Sequence, residues 1–234
     1  TEAPHVKGAG GLGSFLKGQG FFDLQVVFEG LAEENAAEHN EWTFDFRTFR
    51  ENPADLHIEA FSMDDGITQA WEKPDMRTLT DVMERVRASC SYPLFIDPTC
   101  VDGRRYVDGG MGTSHGICAD AALKDGFTRL FVVCTQPKGY RMPEVSARKR
   151  AAYKLAYAKH PQVHEALIQR PHAYNQLLDR LAELERTGKA YVFRPQEMPV
   201  SYKTISTAKL EAAYAAGLVQ CARELPAWQA WLDA

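Results

Sequence analysis

The dipeptide Asp102-Gly103, set between Cys100-Val101 and Arg104-Arg105-Tyr106-Val107, constrains this chain more than any other feature. Strand-forming residues on both sides of Asp-Gly predict a two-residue hairpin, because both turn positions take a left-handed backbone that Asp and Gly adopt at least cost. Such a ribbon has one register and one exit. It delivers the chain to Asp108-Gly109-Gly110, so a carboxylate stands at a strand end, followed by two residues that let other backbone approach closely. Functional groups of open α/β sheets gather at strand ends, which makes Asp108 a candidate catalytic residue and Gly109 and Gly110 candidates for binding substrate or supporting the site. The same tripeptide also makes an ordinary turn in which the aspartate bonds its own backbone.

A little further on, Gly112-Thr113-Ser114-His115-Gly116 spells G-x-S-x-G, the pattern of a hydrolase nucleophile elbow. A working elbow needs a strand entering, the serine on the turn itself and a helix leaving, but here the strand RRYV ends well before the serine. Ser114 therefore reads as a turn residue or helix cap. The competing reading makes Ser114 a nucleophile with His160, His164 or His172 as base, in the chain order of α/β-hydrolases.

The rest of the chain reads as a mixed α/β domain. LHIEAFSM over 56–63 and ITQAWE after Asp64-Asp65-Gly66 predict a hairpin, and MRTLTDVMERVRA over 76–88 predicts an amphipathic helix with Met76, Leu79, Val82, Met83 and Val86 on one face. A helix follows over Cys118 to Lys124, then Arg129 to Cys134 as a buried strand of the parallel kind. Residues 146–188 read as helical, with boundaries at His160-Pro161 and Arg170-Pro171 and an apolar stripe of Leu177, Leu178, Leu181 and Leu184. Lys189 to Arg194 reads as a late strand, before two helices over Leu210 to Gly217 and Leu218 to Leu232. Phe21 to Leu31 and Trp42 to Phe49 suggest short helical or irregular segments. GAGGLG at residues 8–13 satisfies G-x-G-x-x-G, yet no strand precedes it, so a glycine-rich loop is expected. No repeat or linker divides residues 1–234, and a single domain is expected.

With 45% hydrophobic and 25% charged residues the chain is expected to bury a full core. Its net charge of −4 gives no overall footprint for nucleic acid, and no basic tail is present to hold an anionic membrane. The five cysteines form no C-x-x-C, so no disulfide framework, metal site or cofactor is expected; Cys118 and Cys134, inside apolar runs, read as small buried hydrophobes. No apolar run reaches membrane-spanning length and the start TEAPHVKGAGG has no apolar signal core, which together suggest a cytoplasmic location.

The order RASCSYPLF, hairpin, RRYVDGG, helix and DGFTRLFVVCTQPKGYR resembles the patatin-like phospholipase family, especially its bacterial members. The similarity runs from about Gly18 onward. It is most specific over Val101 to Arg141, and includes the small-residue helix end Ala88-Ser89-Cys90, Pro93 in the following loop, Tyr106 to Gly110, Arg170, Tyr174-Asn175 and Val192 to Pro195. The resemblance implies a three-layer α/β sandwich with a mainly parallel central sheet and a helical C-terminal region. It also implies acyl-ester hydrolysis by a Ser-Asp dyad with Asp108 as general base, acting on a lipid or small ester. Lys138-Gly139-Tyr140-Arg141 is then a candidate rim of the site, or a solvated turn.

The family's elbow serine should lie early in the chain, yet nothing before residue 60 reads G-x-S-x-G, and Ser14 lacks the flanking glycines of that motif. GAGGLG lacks the oxyanion-loop arginine, and His115-Gly116 stands where the family has a proline. The expectation is that the nucleophile and oxyanion segments lie upstream of Thr1, leaving an incomplete patatin-like domain that is inactive alone. A separate N-terminal fragment or a homo-oligomer partner would then complete it. A non-catalytic binding domain with the same fold is the remaining alternative.

Overall fold

The computed structural model describes residues 44–201, 204 and 206–234. GAGGLG, Ser14, the Phe21 to Leu31 segment and Trp42 lie outside them. The described residues form two compact units, the first drawn from Thr1–Ile117 and Val145–Arg170, the second from Cys118–Glu144 and Pro171–Ala234.

In the first unit, helix α1 (Phe46–Glu51) precedes β1 (His57–Ser62) and β2 (Thr68–Glu72), which pair antiparallel from His57 opposite Glu72 to Phe61 opposite Thr68. Helix α2 (Leu79–Cys90) begins at a capping box in which Thr78 accepts from the Asp81 amide and Asp81 from the Thr78 amide. Then β3 (Thr99–Val101) and β4 (Arg104–Asp108) form the expected ribbon. Asp102 and Gly103 stand at φ of 50° and 77°, the left-handed pair that a two-residue turn requires.

The sheet order is β2-β1-β4-β3, and every pairing in it is antiparallel. This corrects the expectation of a mainly parallel central sheet. For two of the three pairings the physical reason is connection length: β1 to β2 and β3 to β4 are joined by turns, and a parallel neighbour needs a long crossover. One of the two interior strands, β1, is covered on both faces. Ile58 and Ala60 pack with Trp71, Met76, Val82, Ala88, Val101 and Tyr106, on the α2 side. Phe61 and Met63 pack with Val107, Met111, Tyr157, Val163 and Leu167.

The second unit contains α3 (Ala119–Lys124) and β5 (Leu130–Val133). The chain passes through the first unit's helix α4 (Ala147–Ala156) and then α5 (Pro161–Arg186), to reach β6 (Ala190–Phe193) and α6 (Thr207–Asp233). Strands β5 and β6 pair in parallel, Leu130 opposite Ala190 through Val133 opposite Phe193, with the helical crossover such a pair demands. Only alternate residues of β5, Leu130 and Val132, are buried, so the strand is less enclosed than its unbroken apolar run suggests. Phe131, on the other face, stacks on Tyr191 at 5.4 Å between ring centroids and meets Trp228 edge-on at 5.3 Å.

Two proline and glycine signals are overridden. Pro161 starts α5 as expected, whereas Pro171 lies inside it. Gly217 does not divide the C-terminal region, which is one helix instead of two. Its middle is held by Gln220, whose side chain donates to the Arg194 carbonyl at 2.8 Å and accepts from the Gln196 amide at 2.9 Å. Such anchoring outweighs the roughly 1 kcal/mol that glycine costs a helix.

Candidate functional site

Strand β4 carries Tyr106 and Asp108 on the face that looks toward α2, since their partners on β1 are Ser62 and Ala60. The end of the strand is stapled in place: the Asp108 amide donates to the Ser91 carbonyl at 2.9 Å. The chain then coils into one 3-10 turn, Gly109–Met111, and the Asp108 carboxylate accepts from the Gly110 amide at 2.7 Å.

Both glycines are dictated by what surrounds them. A Cβ on Gly109 would collide with the Glu59 carbonyl of β1. A Cβ on Gly110 would stand 2.8 Å from the Asp108 carboxylate and 3.0 Å from Arg170 Nη2. Arg170, on α5, donates from Nε to the Gly110 carbonyl at 3.1 Å and lies with its guanidinium carbon 5.5 Å from the centre of the Tyr92 ring. An aspartate, an arginine and a pair of close-packed glycines thus share one small volume at a strand end.

Burial pushes the Asp108 carboxyl above the ordinary aspartate range, while the Gly110 amide and the Arg170 charge pull it down without cancelling that effect. A carboxyl moved in this direction is a stronger base than one in water. Cys90, at the end of α2, has its thiol raised by desolvation and then by the Asp108 charge, the opposite of an activated cysteine. Ser91 Oγ donates to the Arg87 carbonyl at 2.8 Å and meets Thr99 Oγ1 at 2.9 Å, so it is occupied structurally.

The loop at Tyr92 is held from α4's C-terminal side. Leu94 has φ of 72°, and its amide donates to Tyr157 Oη at 2.9 Å. Burial pushes the Tyr157 phenol up to about 12.

Ser114 is buried in a turn, its Oγ accepting from the Gly116 amide at 3.4 Å. The left-handed residues there are His115 and Gly116, not the serine, and the position capping α3 is Cys118. Ser114 is therefore neither an elbow serine nor the cap of the following helix. Of the histidines considered as its base, His160 Nδ1 lies 3.0 Å from the Met63 carbonyl, and His164 and His172 lie along α5.

Lys138 to Arg141 line a cavity of about 230 Å³ in the second unit with Cys134, Tyr174 and Arg194. Arg141 donates to the Asn175 carbonyl at 2.9 Å and pairs with Asp179, so this segment is tied down and not simply a solvated turn.

Arg170 is the site residue that residue-level reading does not single out. It lies far from Asp108 in sequence, on a helix with no local motif, and only the similarity to a family points at it. No helix among the described residues is long and apolar enough to cross a membrane. No curated protein matches the chain. Residues 160–233, which take in Arg170 and run from the start of α5 through α6, match the family described as a domain of unknown function (DUF6363).

Proposed function

We propose that this chain is the C-terminal part of a patatin-like serine acyl-ester hydrolase, with Asp108 as the general base of a Ser-Asp dyad. The nucleophilic serine would come from a segment upstream of Thr1, together with the oxyanion loop and the parallel strands of the three-layer sandwich. The observation that carries the reading is the environment of Asp108: a strand-end carboxylate, desolvated to a raised pKa and wedged by two glycines beside Arg170.

In this mechanism Asp108 accepts the serine proton as the hydroxyl oxygen attacks the ester carbonyl. It returns that proton to the departing alcohol, leaving an acyl-enzyme. Water then attacks the acyl carbon, giving its proton to Asp108, which passes it back to the serine. Arg170 acts as a positioning residue, holding the Gly110 carbonyl and hence the turn that orients the carboxylate. Raising the carboxyl pKa brings it nearer the working pH, where a base is most effective.

The test is hydrolysis of a short-chain aryl ester by the protein with its upstream segment. Asp108→Asn is expected to lower kcat by at least about a thousandfold with KM little changed. Turnover retained in that variant would reject the assignment.

A further inference from the structure

Helix α4 and the turn after it are built for a charged surface. No residue of α4 is buried, and only Tyr153 is half-buried. From Val145 to His164 the chain carries Arg148, Lys149, Arg150, Lys154 and Lys159 with no Asp or Glu, inside a chain whose net charge is −4. The overall negative charge thus conceals a local cationic patch. Arg150 turns back to the Val145 carbonyl at 3.0 Å, whereas Arg148, Lys149, Lys154 and Lys159 make no ion pair among the described residues.

In the midst of these cations Leu155 is 82% exposed, the most exposed large apolar side chain among the described residues. Arg148, Ala151, Ala152 and Leu155 follow i, i+3, i+4 and i+7 spacing, so they share one face. A face on which Ala151, Ala152 and Leu155 surround Arg148, with Lys149 and Lys154 to either side, has the mixture of a helix that lies in a lipid interface, where stems cover hydrocarbon and charged heads reach phosphate. The support beneath it is firm: Tyr157, just past the helix, is buried and accepts the Leu94 amide at 2.9 Å.

We infer that the outer face of α4, with Arg148, Lys149, Lys154 and Leu155, docks on an anionic bilayer surface. Charge complementarity selects an anionic partner, and Leu155 selects a bilayer over nucleic acid, which would satisfy the cations and leave the leucine in water. Docking here would bring an acyl-ester hydrolase to its lipid, but it does not depend on that reading.

The test reads binding without turnover, so failure of either reading leaves the other standing. Cosedimentation with phosphatidylcholine vesicles is measured with and without about 30% phosphatidylserine. Binding is expected only with the anionic lipid, and is expected to be lost near 0.5 M salt, where the screening length falls to roughly 4 Å. Triple reversal R148E/K149E/K154E is expected to weaken it by at least about thirtyfold. Because these side chains are exposed, circular dichroism of that variant should match the parent.

Leu155→Trp supplies a second measurement, the emission of the introduced indole shifting to the blue with anionic vesicles. The proposal is overturned if the parent ignores anionic vesicles at low salt, or if the triple variant binds them equally. Unshifted indole emission in a protein that instead binds an oligonucleotide through the same residues would also overturn it.

Discussion

The Cα of Gly109 rests against the backbone of Glu59, so that a Cβ on the glycine would stand 2.9 Å from the Glu59 carbonyl carbon and closer still to its oxygen. Neither group is a flexible side chain, so the 3-10 turn must move away from β1 to admit one methyl group. Gly109→Ala is expected to cost about 2–3 kcal/mol in urea denaturation. Gly103→Ala meets nothing within 4 Å but keeps φ near 77°, and should cost about 1 kcal/mol. Equal losses at the two positions would contradict close packing at Gly109.

Arg170→Met removes both the Nε bond to the Gly110 carbonyl and a positive charge that lowers the Asp108 pKa. The Asp108 carboxyl is expected to titrate at still higher pH in the variant, read from its carboxyl carbon shift in a ¹³C NMR titration. A downward shift would mean that Arg170 acts on Asp108 otherwise than through its charge.

Burial raises the Asp108 pKa in the folded state. Its contribution to stability is therefore fully present below the unfolded aspartate value and is lost as pH rises through the folded one. Asp108→Asn should be more stable than the parent at neutral pH, and that advantage should shrink as pH falls through the raised folded value, the change being complete by the ordinary aspartate range. Thermal melts at several pH values check this, and an advantage unchanged with pH would refute the sign.

Tyr157 ties α4's end to the loop holding Leu94. Tyr157→Phe leaves the Leu94 amide without that acceptor and is expected to cost about 1–2 kcal/mol. In the parent the phenol is pushed up to about 12, so its contribution persists below the unfolded tyrosine value and is lost as pH rises through that range. Ultraviolet titration should find one tyrosine ionising last, and Tyr157→Phe should abolish that step.

Ser114→Ala removes one hydroxyl that accepts a long bond from Gly116. Stability should change by no more than about 1 kcal/mol. A serine-reactive phosphonate should leave Ser114 unlabelled, because its turn lacks the elbow conformation. Labelling at Ser114 would revive it as a nucleophile.

Local chemistry makes much of this fold readable. The Asp102-Gly103 turn, the hairpin of β1 and β2, the amphipathic α2, the parallel strand β5 and the placement of Asp108 at a strand end all follow from signals spanning a few residues. Elsewhere a distant contact outweighs a local signal. Pro171 and Gly217 are residues that usually end helices, yet each lies inside one, and Gln220 shows how bonds from across the unit can hold a helix through such a residue. The direction of strand pairing in the larger sheet departs from the family likeness: short turns force β1–β2 and β3–β4 to be antiparallel, and β4 also joins β1 antiparallel, a choice that connection length does not make.

The sequence by itself determined that an aspartate followed by two glycines would leave a tight ribbon, because turn preferences and strand periodicity act between neighbours. Only the tertiary structure decided that Arg170 would reach Gly110, that Glu59 would forbid a side chain at Gly109, and that Ser114 would be buried with its hydroxyl on the Gly116 amide. Those outcomes depend on which distant surfaces meet when the apolar faces are buried, and no local pattern encodes that choice.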